Sequence, residues 1–190
     1  VSVGFINGKR CLGGMLELLL HCHYLVVVDG AALGMPEVTL PVVPGMEGCH
    51  WPFRKTGAEG WPKLLRLLLG GSPVGARDAV GWLVDHAGPL EDALTAVWSI
   101  ATDGDHRVPR RKLEQGRLKG VPAEIAGLAD PGDPGTEAAR KAIMDAIQGA
   151  CGSTLAEALA VQTRLSAEFM TTSHCRKGRV GAEQARTAVG

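Results

Sequence analysis

Short apolar runs, each broken by glycine or proline before it grows long, constrain this chain more than any other feature. Residues 1–6 are too continuously apolar for a surface strand and suit a buried one, and Asn7-Gly8 ends that strand with turn chemistry. Gly13-Gly14 then leads into residues 15–22, rich in the helix formers Met, Leu and Glu. Residues 24–28 make a second buried strand, Asp29-Gly30 a turn, and residues 31–34 a short extended piece that Pro36 closes. Strands alternating with helices imply an α/β core.

The 190 residues are 45% hydrophobic and 21% charged, so the chain buries a real core and is not a disordered tail. Twenty basic residues balance twenty acidic ones, which removes the electrostatic footprint of a general nucleic-acid binder. Five scattered cysteines, with no CxxC pair, read as free thiols of a reducing compartment, and cytoplasm is the simplest location. Glu17, His21, His23 and Asp29 interrupt the apolar runs, so none spans a bilayer and no membrane partner is expected. The first residue is Val, and a buried strand begins at once, as it would in a piece of a longer chain.

Further along, residues 36–45 are too irregular for a helix and too apolar for an exposed loop, which fits the wall of an interior site. Helices are predicted at residues 61–69, 75–82 and 90–102, with a short strand at 83–85. The chain thus divides into an α/β core over 1–102, a polar loop or insertion over 103–135, and a helical region over 136–190. In that last region Ala142, Ile143, Ala146 and Ile147, then Leu155, Leu159, Val161 and Leu165, mark the expected apolar faces. The basic residues between Arg107 and Lys119 lack interleaved aromatics and read as a solvated face.

Two carboxylates lie in apolar company with no basic neighbour in sequence: Glu17 within Met15-Leu16-Glu17-Leu18, and Glu37 within Met35-Pro36-Glu37-Val38. Such surroundings disfavour the ionised form and raise a carboxylate pKa toward the range useful for general acid–base work. The plainer alternative makes Glu17 the exposed position of an amphipathic helix and Glu37 a helix N-terminal acid. Gly13-Gly14 at a helix start offers backbone N–H groups to an oxyanion, or is simply a tight turn. His21-Cys22-His23 has no second ligand pair, so no metal is expected, and the adjacent Cys49 and His50 do not face each other as nucleophile and base.

The order Asn7-Gly8, Leu12-Gly13-Gly14, Glu17-Leu18, Cys22, Leu33-Gly34-Met35-Pro36-Glu37, Pro44-Gly45 and Gly48 resembles the crotonase, or enoyl-CoA hydratase/isomerase, superfamily. The interval of twenty positions between Glu17 and Glu37 is similar to that between the two acids of its hydratases. The resemblance implies a crotonase-like ββα spiral core followed by a helical C-terminal region. It implies that the N-terminal half of the fold is missing here and comes from another chain or from the rest of a longer one. It implies an acyl-CoA substrate, no permanently bound cofactor, and a homotrimer or hexamer.

By the same resemblance, Gly14 gives an oxyanion N–H, Glu17 activates water for the β carbon, Glu37 exchanges a proton with the α carbon, and the Gly45 N–H helps place the water. Gly13, Met15, Arg176 and Lys177 would contact the coenzyme A thioester. Retention of both acids implies reversible hydration of a 2-enoyl-CoA. An isomerase or hydrolase of the superfamily, or a non-catalytic or complementary subunit, are the alternatives. The sequence departs from the family where Met15 and Glu47 replace glycines, where His23 replaces an Asp, and where Glu183 replaces an aromatic after Arg176-Lys177.

Overall fold

The first strands form where the apolar runs are densest. In a computed structural model, which describes residues 1–102, 107–128 and 133–175, Val3–Ile6 forms β1 and Tyr24–Val28 forms β3. These pair in parallel from Val3 opposite Tyr24 to Ile6 opposite Val27. Leu25, Val26 and Val27 are wholly buried, as continuous apolar strands require when both faces are covered. His86–Gly88, β6, extends this sheet in parallel to give the order β1-β3-β6.

A second sheet runs beside the first. Arg10–Leu12, β2, pairs in parallel with Ala32–Gly34, β4, and Val74–Gly75, β5, adds antiparallel to β4. Between the sheets the chain advances as a spiral. It visits the first sheet at β1, the second at β2, and then turns into helix α1, Gly14–Leu20, before starting again at β3 and β4. Strand β2 was not expected, because three residues with an exposed Arg10 carry no periodic signal.

The polar–apolar pattern misled in several places, each for a local reason. Residues 75–82 do not form a helix: β5 ends at Gly75, and only a 3-10 turn at Arg77–Ala79 follows, since Gly81 takes a φ of 85° that no right-handed helix contains. Residues 83–85 form no strand either. Val84 makes one isolated bridge to Val80, and the third strand of the sheet begins at His86. Pro36–Thr39 is a short 3-10 helix within the stretch expected to be irregular, with Pro36 in its first turn, where the missing N–H costs nothing. Helix α2, Trp51–Thr56, was also missed.

Helix α3, Trp61–Gly70, agrees with the expected 61–69 and buries Leu64, Leu65, Leu67, Leu68 and Leu69 in the main core. Helix α4, Leu90–Thr102, covers the first sheet, where Ala93, Ala96 and Ile100 pack on Tyr24 and Val26. Helices α5, Pro134–Cys151, and α6, Leu155–Met170, form an antiparallel hairpin. The side chain of Asp133 caps α5 by accepting from the N–H groups of Gly135 and Thr136, and Thr154 with Glu157 makes a capping box on α6.

On α5 the expected Ile143, Ala146 and Ile147 are buried. On α6 the expected face holds only in part: Leu165 packs on the core, but Leu159 is exposed, while Ala158, Gln162, Ser166 and Phe169 face inward. Helix expected over 176–188 lies outside the described residues.

Residues 107–128 contain no helix or strand, yet they are not a solvated loop alone. Leu118, Val121, Ile125 and Leu128 pack on the core. Arg111 is drawn inward to the fully buried Asp85 carboxylate, with Nε 2.6 Å from Oδ1. Among the described residues no helix is long and apolar enough to cross a membrane.

Candidate active site

Register brings the two glutamates together. Leu12 of β2 lies opposite Gly34 of β4, so the segments leaving these strands start side by side, and the Gly13 N–H donates to the Gly34 carbonyl at 2.8 Å. One segment turns into α1 and carries Glu17; the other turns into the 3-10 helix and carries Glu37. The interval of twenty positions is thus about one turn of the spiral. Both side chains are buried, at 2% and 9% exposure, which rules out the exposed-helix alternative for Glu17.

The two carboxylates differ in their partners. Glu17 Oε2 accepts from the N–H of Met46 and from the N–H of Gly48, each at 2.8 Å. Burial raises the Glu17 pKa; the N–H groups of Met46, Gly48 and Gly45, then the charge of His21, act against that rise by favouring the ionised form. Glu37 has no such cradle. Its Oε2 is buried without a hydrogen-bond partner among the described residues. Burial pushes its pKa up to about 7, its own N–H opposes, and the nearby Glu17 charge adds to the rise. Both pKa values are therefore raised: backbone N–H groups limit the rise at Glu17, and Glu37 stays half protonated near neutrality.

Glycine makes this approach possible. A Cβ on Gly13 would stand 2.9 Å from Glu37 Oε1, and one on Gly48 would stand 2.7 Å from Glu17 Oε2. Gly13 also has φ 58° and ψ −136°, closed to L side chains without strain. Its N–H is spent on Gly34, so Gly13 contributes space rather than a donor to a ligand. Gly14 begins α1, and its N–H lies in the first turn, where no intrahelical acceptor exists. Met15 is exposed on α1. Gly45 lines an open cleft of about 340 Å³ with Leu18, His21, Met46, Glu47 and Leu159. Arg176 and Lys177 lie outside the described residues.

The histidines and cysteines serve other ends. His21 stacks on Trp51 with ring centroids 4.3 Å apart, whereas His23 exchanges hydrogen bonds with Ser2. Among the described residues no group of three or more His, Cys, Asp or Glu is placed to hold a metal. Cys49 is fully buried, and burial pushes its thiol well above the ordinary range, which makes it inert as a nucleophile. His50 is buried with neither ring nitrogen hydrogen-bonded among the described residues; Glu47 Oε2 is 3.4 Å from Nε2 but poorly aligned. Burial lowers the His50 pKa to about 4.

The sequence reading missed the Met46 and Gly48 donors, because backbone groups leave no residue-type signature. It also missed Gln162, whose amide reaches residues 44–49 from α6. The available signal was a glutamine in register with Ala158, Ser166 and Phe169 on one helix face.

No family model matches the chain. Among curated proteins it is 39% identical over 92 residues to a probable enoyl-CoA hydratase of Mycobacterium bovis, covering 48% of this chain and 35% of that one. It is 36% identical over 125 residues to a fatty acid oxidation complex subunit alpha of Shewanella loihica, covering 63% of this chain and 17% of that one. A solved enoyl-CoA hydratase from Mycobacterium smegmatis superposes with a TM-score of 0.56 at 21% identity, covering 88% of this chain and 63% of that one. The chain spans about a third, or less, of the length of the first curated relatives it matches.

Proposed function

Because the chain belongs to the crotonase superfamily, we propose that it works on acyl-CoA thioesters as the reacting wall of an enoyl-CoA hydratase, adding water reversibly to a 2-enoyl-CoA. The observation that carries this reading is the divided environment of the two glutamates: Glu17 under the N–H groups of Met46 and Gly48, Glu37 with its Oε2 buried without a partner among the described residues and a pKa of about 7. Environments that push the pKa values of two acids apart assign the base and the acid.

In this reading Glu17 takes a proton from water as the oxygen attacks the β carbon, and Glu37 gives a proton to the α carbon. Once the product has left, Glu17 passes its proton to solvent and Glu37 takes one back from solvent; in dehydration the two acids exchange roles. The negative charge that develops on the thioester oxygen is met by the Gly14 N–H, a kind of donor whose loss costs roughly 3 kcal/mol of transition-state stabilisation. Gly45, which lines the cleft and whose N–H bears on the Glu17 carboxylate, helps place the water. A second oxyanion donor and much of the coenzyme A surface would come from outside these 190 residues. A homotrimer or hexamer, or a second polypeptide completing the fold, belongs to the same proposal.

The test is incubation with crotonyl-CoA, of the chain alone and with any co-purifying polypeptide, following loss of the conjugated-thioester absorbance. Hydration in either case supports the reading; no loss in both sinks it. Glu17→Gln and Glu37→Gln should each reduce hydration by at least about 100-fold, the usual worth of a positioned acid or base. An isomerase would keep its activity in one of the two variants.

A further inference from the structure

The amide of Gln162 lies on the inner face of α6 at 2% exposure, between Ala158 and Ser166, which are also buried. Its Nε2 donates to the Pro44 carbonyl at 3.0 Å, and its Oε1 accepts from the Cys49 N–H at 3.1 Å. These two contacts bracket residues 44–49. Within the bracket stand the Met46 and Gly48 N–H groups that both point at Glu17 Oε2. The loop between has no regular secondary structure before His50, and Glu47 adopts φ 70°, a left-handed conformation rare outside glycine. The His50 and Trp51 N–H groups hold one side of that shape by donating to the Glu47 carbonyl at 3.1 and 2.9 Å, and the Gln162 amide ties it from outside at Pro44 and Cys49.

We propose that Gln162 is a positioning residue: its buried amide fastens both ends of the 44–49 loop and thereby keeps the Met46 and Gly48 N–H groups on the Glu17 carboxylate. A helix distant in sequence then sets the state of the base. A glutamine suits the task because it offers a donor and an acceptor on one planar group without bringing charge into the core. An apolar residue there would leave the Pro44 carbonyl and the Cys49 N–H buried and unpaired.

The inference rests on the role given to Glu17, and its test is chosen to be separable from that role. Glu17 is titrated without substrate, by carboxylate NMR or isotope-edited infrared spectroscopy, in the unaltered chain and in Gln162→Met, which keeps the volume but removes both hydrogen bonds. His21, Glu37 and Cys49, the titratable groups coupled to Glu17, remain in place. Loosening two N–H donors should move the Glu17 midpoint upward by roughly one pH unit. Where hydration is measurable, the acid-side limb of the kcat profile, where the rate rises as Glu17 ionises, should follow that shift while KM changes less than about twofold.

An unchanged Glu17 midpoint in folded Gln162→Met overturns the proposal. If that variant does not fold, Gln162→Asn decides instead. Its shorter side chain cannot span both contacts, and amide exchange at Met46, Gly48 and Cys49 should quicken at least about tenfold while α5 stays protected. Unchanged exchange there overturns the proposal equally. Absence of hydration in the unaltered chain would sink the functional reading and leave the titration result standing.

Discussion

At the scale of single residues, the site is governed by where a side chain is absent. Glu37 approaches Gly13 so closely that a methyl group would meet its carboxylate, and the Gly13 backbone lies in a region that only glycine enters without strain. Gly13→Ala therefore adds strain of about 1–3 kcal/mol and a displaced Glu37. Urea denaturation should show a loss of stability of that order, and under the proposed function crotonyl-CoA hydration should be lost as well. Glu47 presents the opposite case, a residue with a side chain at φ 70°, in the left-handed region that favours glycine. Glu47→Gly relieves strain of roughly 1 kcal/mol or more but frees the unfolded chain, for an expected net gain of about 0.5 kcal/mol. Glu47→Ala removes the same side chain and keeps the strain, so it should show no gain in the same denaturation series.

At the scale of elements, one buried cation joins three segments. Arg54 of α2 donates to the carbonyls of Glu114 and Gly116 in the strap that follows α4, and to those of Ala150 and Ser153 at the end of α5. Arg54→Met leaves these carbonyls in a dry interior without donors. A loss of about 3 kcal/mol is expected, with proteolysis of the strap in residues 107–128 as the local readout. Nothing in the sequence marked Arg54, because its partners are main-chain oxygens about sixty to a hundred positions away. The elements that were legible have their cause close by: the leucines of α3 repeat at helical spacing, and the β1 and β3 runs are continuously apolar. The face of α6 was read only in part, because apolar residues were taken to point inward and of these Leu165 does while Leu159 does not. Leu159 instead lines the cleft, and Gln162 occupies the buried stripe to satisfy the loop.

At the scale of the whole molecule, the two glutamates were picked out by their apolar surroundings and by a resemblance in motif order, and the structure sets them about one turn of the spiral apart. The charge state of the site was legible only in direction, since it depends on which distant backbone groups reach each carboxylate. That division has a consequence for stability. His50 has its pKa lowered from 6.5 to about 4, so between those values the unfolded chain binds more protons and stability rises with pH. Glu37 has its pKa raised from 4.5 to about 7, so between those values the folded chain binds more protons and stability falls with pH. The two trends oppose each other from about pH 4.5 to 6.5. Each substitution should expose the other residue. Glu37→Gln should show a melting temperature that climbs across this window more steeply than in the unaltered chain, with a gain in stability above pH 7 from removal of a buried charge. His50→Leu should show one that declines more steeply toward neutrality. Thermal melts at half-unit pH intervals measure both slopes. If Glu37→Gln climbs no more steeply than the unaltered chain, Glu37 does not hold its proton to neutrality, and its assignment as the acid of the pair fails with it.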